Sequence, residues 1–117
     1  MRLILDEGFP QFVENYGIAD LELIRWRNDP DGDIDFLRKV AREGFTGVIF
    51  LGMNVIGSKE FADELRAAKT KVFVTYNTDP FAASIDIANQ LRSIRHFART
   101  SGVHVIYARE VRPVDNF

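Results

Sequence analysis

The chain has 117 residues, a length typical of one domain, so we predict a single domain over residues 1–117. Hydrophobic residues make up 46% of the sequence and charged residues 27%, the balance of a chain that buries a core rather than of a disordered one. The sequence has no cysteine, which excludes disulfides, thiolate metal sites and a cysteine nucleophile. The net charge of −2 gives no overall attraction to nucleic acid, although acidic residues concentrate in the first half and basic residues in the second.

No apolar stretch approaches the roughly 18 residues of a membrane span, and no signal-peptide core follows Met1 and Arg2. We therefore expect a cytoplasmic protein without a membrane partner.

Short apolar runs alternate along the chain with segments of helical periodicity. Strands are predicted at residues 3–5, 21–26, 48–51, 72–76 and 103–107. Helices are predicted from Pro10 to Gly17, from an N-cap at Asp33 to Glu43, from an N-cap at Ser58 to about residue 68, and from Phe81 to about Ser101. This alternation predicts an α/β fold with a mostly parallel sheet of about five strands and helices on both sides.

Acidic side chains follow the predicted strands at the edge where ligands bind in such sheets. Asp6 and Glu7 come after the first strand, Asp33 and Asp35 belong to the acidic run 29–35 after the second, and Asp79 comes after the fourth. Carboxylates are the ligands that Mg²⁺ and Mn²⁺ prefer, so the pattern predicts metal-assisted phosphoryl chemistry. Each residue also has a structural explanation: a solvated turn for Asp6 and Glu7, a helix cap for Asp33, and a turn before Pro80 for Asp79.

Two further sets of polar residues have less specific patterns. Arg92, Arg95 and Arg99 recur at helical spacing, which is typical of an RNA-phosphate surface and equally of a solvated helix face. His96 and His104 have no visible triad partner, so packing or surface roles are expected for both.

Three segments of the chain carry a resemblance to a known family: Leu-Asp-Glu-Gly-Phe-Pro at residues 5–10, Asp-Ile-Asp-Phe-Leu at residues 33–37 and Ala-Arg-Glu-Gly at residues 41–44. They resemble the PIN-like domain family, which includes VapC-type ribonuclease toxins. The likeness covers roughly residues 1–76. It implies a three-layer α/β/α sandwich and an endoribonuclease that uses Mg²⁺ or Mn²⁺ to cut single-stranded RNA, with a cognate antitoxin covering the site. By position, Asp6 is the first metal ligand and Asp33 or Asp35 the next, with Glu7 and Asp79 assisting. We also consider that two copies of the chain form a homodimer.

The chain departs from the family at one acidic position. The family places an aspartate after the third strand, in a pattern like Thr-x-Asp, whereas this chain has Leu-Gly-Met-Asn at residues 51–54. The pattern from Thr75 to Asp79 is similar but lies one strand–helix unit later. A lost carboxylate weakens metal affinity. A catalytically silent domain that binds protein or RNA is therefore the alternative interpretation.

Receiver domains share part of the pattern too, with two acids after the first strand and Thr75 after the fourth. However, Gly52 stands where their phosphoacceptor aspartate would be. The receiver-like alternative therefore predicts at most a binding domain.

Overall fold

The computed structural model describes residues 1–26 and 32–115, except for the side chains of Asp33 and Ala68. Within those residues the strands are β1 (Arg2–Leu5), β2 (Glu22–Arg25), β3 (Gly47–Phe50), β4 (Lys71–Thr75), β5 (Val103–Ile106) and β6 (Val111–Pro113). The α-helices are α1 (Gly32–Arg42), α2 (Lys59–Ala68), α3 (Pro80–Asn89) and α4 (Leu91–Phe97), and two 3₁₀ helices span Gln11–Tyr16 and Asn54–Gly57. The predicted α/β class is confirmed. No helix in the described ranges is long and apolar enough to cross a membrane.

The strands form one sheet in the order β2-β1-β3-β4-β5-β6. Strands β1 to β5 are parallel, and β6 pairs antiparallel with β5. The sheet is thus mostly parallel as predicted, with β6 as an additional strand. The sequence predicted a polar tail here because three residues are too few to show strand alternation. Val111 nevertheless pairs with Ile106 and is buried.

Successive side chains of the inner strands point to opposite faces of the sheet, and each face carries its own apolar core. On one face the strand residues pack with the first 3₁₀ helix, α3 and α4; this core includes Leu3, Leu5, Ile49, Phe73, Ile106, Phe9, Val13, Ile87 and Ile94. On the other face they pack with α1 and α2; this core includes Ile4, Val48, Phe50, Val72, Val74, Leu37, Val40, Phe61 and Leu65. Burial on both faces explains why these strands read as continuous apolar runs.

Strand β3 begins at a glycine because it passes unusually close to β4. A Cβ atom at Gly47 would lie 2.4 Å from the carbonyl oxygen of Lys71, its register partner. That separation is far inside van der Waals contact, so no other residue fits without moving the backbone. Gly47 therefore sets the spacing at the amino edge of the sheet.

The helices differ from the sequence prediction in three places. The expected helix from Phe81 to Ser101 is two helices, because Gln90 leaves helical geometry (φ −114°, ψ 16°) and its side chain donates to the carbonyl of Ala108 at 3.1 Å. The first predicted helix is a 3₁₀ helix, and α1 begins at Gly32, so Asp33 lies within its first turn rather than at the cap. The Ser58 cap is confirmed: its Oγ accepts from the Phe61 amide at 3.2 Å.

Four aromatic rings form an edge-to-face row beneath α1 and α2. The centroid distances are 5.3 Å from Trp26 to Phe36, 5.7 Å from Phe36 to Phe50 and 5.5 Å from Phe50 to Phe61. Trp26, which directly follows β2, is the only tryptophan of the sequence. Its amide donates to the Leu5 carbonyl at 2.7 Å, one residue before Asp6, so its fluorescence can report on that end of β1.

Candidate functional site

The strand order reverses at the carboxyl ends of β1 and β3. From β1 the chain crosses to β2 on one side, and from β2 it returns to β3 on the other side of β1. Ligands of open parallel sheets bind where the strand order reverses in this way, because the loops separate there. Asp6 follows β1 at this point and Leu51 follows β3.

Asp6 is fixed by three hydrogen bonds. Its amide donates to the Ile49 carbonyl at 3.0 Å, its carbonyl accepts from the Phe9 amide at 3.1 Å, and its Oδ1 accepts from the Gly8 amide at 3.1 Å. The last bond is an Asx turn, which reverses the chain directly after the strand. Among the described residues, Oδ2 accepts no hydrogen bond, and the side chain is partly exposed. Asp6 thus has a structural role and one carboxylate oxygen left to bind a ligand.

Arg25 holds the loop that contains Glu7. Its Nε donates to the Phe9 carbonyl at 2.6 Å and its second guanidinium nitrogen to the Glu7 carbonyl at 2.9 Å. Both acceptors are backbone atoms, and Glu7 itself is exposed. Its side chain therefore stands at the edge of the sheet while its backbone is anchored.

The end of β4 carries a polar network that ties three elements together. The buried Thr75 hydroxyl accepts from the Gly52 amide at 2.9 Å and donates to the Asn77 carbonyl at 2.8 Å. The Asn77 side chain in turn donates to the buried carboxylate of Asp86 on α3. Asp79 is the N-cap of α3, accepting from the Ala82 amide at 2.9 Å. The sequence predicted a turn before Pro80 at this position, and the helix cap was not predicted.

Asp86 belongs to the site region and is a residue that sequence reasoning missed. It lies between Ile85 and Ile87 and is the only charged residue of α3, and a lone acid in a mostly apolar run is the signal that could have found it. Buried carboxylates need hydrogen-bond partners, and Asn77 supplies one.

Asp35 lies away from this network, in the groove between α1 and α2. It is exposed and 3.6 Å from Arg38, whose guanidinium also binds both carboxylate oxygens of Glu64 at 2.7 and 3.0 Å. The hydrogen bonds and charge of this pair raise the pKa of Arg38 and lower that of Glu64. The groove has a volume of about 510 Å³ and includes Asp35 in its lining. The predicted ligand Asp33 has a side chain outside the described residues, as do Asp29 and Asp31.

Two of the three predicted RNA-binding arginines are held by one acid. Arg95 and Arg99 both bind the carboxylate of Asp20, at 2.5 and 2.7 Å, and Arg92 is exposed. The hydrogen bond from Arg95, followed by the charges of both arginines, lowers the pKa of Asp20. These bonds join α4 and the turn after it to the turn before β2, so part of the basic stripe is neutralised within the protein.

Aromatic side chains surround the carboxyl edge of the sheet, and sequence reasoning missed them as well. Three of them are exposed and Tyr107 is half-buried. Phe12 and Phe81 are stacked, with centroids 6.2 Å apart, and Phe81 is 62% exposed. Tyr76 and Tyr107 form a second pair at 5.1 Å, just beyond β4 and β5. We call these four residues the edge aromatic surface.

The described side chains supply only part of a metal site. No three histidine, aspartate or glutamate side chains among them gather closely enough to hold an ion. Asp6 can contribute one oxygen, and the side chain of the predicted ligand Asp33 is not among the described residues. Hard cations need several oxygen ligands, so the described residues supply one part of such a site and do not complete it.

Comparison of the chain with models of protein families, with curated proteins and with solved structures finds no match.

Proposed function

We propose that this chain is a PIN-like domain with a three-layer α/β/α arrangement that binds Mg²⁺ or Mn²⁺ at the carboxyl edge of its sheet and cuts RNA. The observation that supports this most is the position of Asp6, at the end of β1 where the strand order reverses. The two apolar cores on opposite faces of the sheet support the layered arrangement. An RNA substrate, an antitoxin partner, a homodimer and a cytoplasmic location remain predictions of this proposal.

In this proposal Asp6 and Asp33 hold the ion, with Asp35 as the alternative second ligand and Glu7 and Asp79 assisting. A bound divalent ion would lower the pKa of a water molecule and stabilise charge on the phosphodiester. The protein's part is to fix the ligands: the Gly8 amide orients Asp6, and the Arg25 guanidinium anchors the loop of Glu7. Asp35 is paired with Arg38, so using it as a ligand would require that ion pair to break.

The test uses Asp6→Asn, because the asparagine side-chain oxygen can still accept from the Gly8 amide and preserve the Asx turn. We expect Mn²⁺-dependent cleavage of single-stranded RNA by the wild type and its loss in Asp6→Asn. Asp63→Asn, which removes an exposed acid from α2, is the matched control and should cleave normally.

Metal binding can be measured separately from cleavage through the single tryptophan. Paramagnetic Mn²⁺ quenches nearby fluorophores, and Trp26 is hydrogen-bonded to the residue before Asp6. We expect saturable quenching in the wild type and in Asp63→Asn, and none in Asp6→Asn. Absence of RNA cleavage, together with quenching that is the same in all three proteins, would refute the nuclease proposal.

A catalytically silent binding domain is the second candidate, and two observations favour it. The end of β3 offers Leu51, Gly52 and Met53, none of which binds a hard cation through its side chain. The edge aromatic surface provides exposed rings of the kind on which unpaired bases stack.

For this candidate we expect single-stranded RNA to bind without cleavage in the presence of a metal chelator. Anisotropy of a labelled oligonucleotide should show the binding and its loss in Phe81→Ala, with Glu60→Ala on the opposite face as the unaffected control. RNA cleavage that disappears in Asp6→Asn would exclude the silent domain.

A further inference from the structure

A cavity of about 410 Å³ lies at the amino edge of the sheet, opposite the proposed nuclease site. It is lined by the end of α2 and by the turns that precede β4 and β5: Leu65, Arg66, Lys69, Thr70, Ser101 and Gly102. Its size is that of cavities that hold small molecules. Two of these residues are cationic and none is acidic.

A third positive charge does not line the cavity but contacts Ser101, one of the lining residues. Lys71, the first residue of β4, is 3% exposed, and its ammonium group contacts Thr100 Oγ1 at 3.2 Å and the Ser101 carbonyl at 3.4 Å. It also donates to Nδ1 of His104. All three acceptors are neutral, and the described part of the chain provides no carboxylate in ion-pairing distance of Lys71.

A buried ammonium without an anion is energetically unfavourable, because buried charges are normally paired. Burial accordingly lowers the pKa of Lys71 to about 8, which still leaves it mostly charged at neutral pH. His104 does not compete for the proton, since burial and the charge of Lys71 lower its own pKa to about 4. The Phe73 ring, whose centroid is 5.2 Å from Nζ of Lys71, compensates this charge only in part. An anion in the cavity beyond Ser101 would supply a counter-charge.

We propose that this cavity binds a small organic phosphate, with Lys71 as the buried cation beyond Ser101, and Arg66 and Lys69 as cations in its wall. The Ser101 hydroxyl provides a donor for a phosphoryl oxygen, and the Leu65 side chain provides an apolar surface for the organic part. Arg66 is also 3.3 Å from the exposed Asp63, so Lys69 and Lys71 carry the larger share of the attraction. The proposal is independent of the chemistry at Asp6.

The test is a titration with phenyl phosphate and with inorganic phosphate at constant ionic strength and neutral pH, followed by amide NMR. We expect saturable shifts at the Thr70 and Gly102 amides, and tighter binding of phenyl phosphate than of inorganic phosphate. Lys71→Met should weaken phenyl phosphate binding about tenfold, as expected for the loss of one nearby charge in a low-dielectric setting. Lys59→Met, at the exposed start of α2, is the matched control and should bind normally.

Lys69→Met keeps the proposal testable if Lys71→Met does not fold, because Lys69 is exposed at the end of α2. It should weaken binding while leaving the melting temperature nearly unchanged. The proposal is overturned if no saturable shift appears at Gly102. It is equally overturned if Lys59→Met and Lys69→Met lose the same affinity, which would indicate general attraction to positive charge.

Discussion

Lowering the pH should destabilise the folded chain through His104. Burial and the charge of Lys71 lower its pKa from the ordinary 6.5 to about 4 in the folded protein. Between these values the unfolded chain binds a proton that the folded chain does not. The contribution of His104 to stability is therefore fully present above about pH 6.5 and is lost as the pH falls toward 4. Between pH 7 and pH 4.5 the free energy of unfolding should fall by about 2 kcal/mol from this group alone.

The measurement is urea unfolding followed by Trp26 fluorescence at both pH values, on the wild type and two variants. His104→Asn replaces the imidazole by an amide that can still accept from Lys71 but does not titrate. His96→Asn removes the exposed histidine and serves as the control. Protonation of carboxylates affects all three proteins alike, so the difference between their pH slopes isolates each histidine.

We expect a loss on acidification that is about 2 kcal/mol smaller in His104→Asn than in the other two proteins. Equal pH slopes in all three would refute the argument that His104 is buried in the neutral form. If His104→Asn does not fold, NMR titration of His104 in the wild type decides the question: a midpoint near 4 agrees with the structure and one near 6.5 contradicts it.

Three other substitutions test the packing and the polar contacts. Gly47→Ala should destabilise the fold by roughly 2–4 kcal/mol, because its Cβ would overlap the backbone of β4, whereas Gly57→Ala, which meets nothing within 4 Å, should cost less than about 1 kcal/mol. Equal costs in urea unfolding would contradict the close approach of the strands. Thr75→Val should cost about 1–3 kcal/mol by leaving the buried Gly52 amide without an acceptor, and Thr78→Val, on the exposed side of the same turn, should be nearly neutral. Asp20→Asn should lower the melting temperature slightly at low salt and not at high salt, because salt screens exposed ion pairs; a loss that persists at high salt would exclude an electrostatic cause.

The sequence predicted most of the fold because burial on both faces makes the inner strands uniformly apolar. The run at residues 48–51 shows this clearly, and Ser58 shows that a local cap can be predicted as well. The break at Gln90 could not be predicted, because it depends on a hydrogen bond to Ala108, which is distant in sequence. Strand β6 was missed because its pairing with β5, rather than its own pattern, makes it a strand.

The candidate site was less predictable because its side chains are partnered by residues far along the chain. Helical spacing identified Arg95 and Arg99 as one stripe, but nothing local indicates that Asp20 binds both. In the same way, the local sequence around Lys71 and around His104 does not indicate that these two side chains are in contact. Asp6 was placed correctly at the end of a strand, since a strand end is a local feature of the sequence.

The short final strand has a consequence for self-association. An edge strand with unpaired amides and carbonyls can recruit another chain, and β5 would be such an edge if β6 were absent. Strand β6 covers it with three residues and ends in Pro113, which has no amide hydrogen to donate to a further strand. The proline limits intermolecular strand addition on this side, so a variant that restores an amide at residue 113 should aggregate more readily than the wild type.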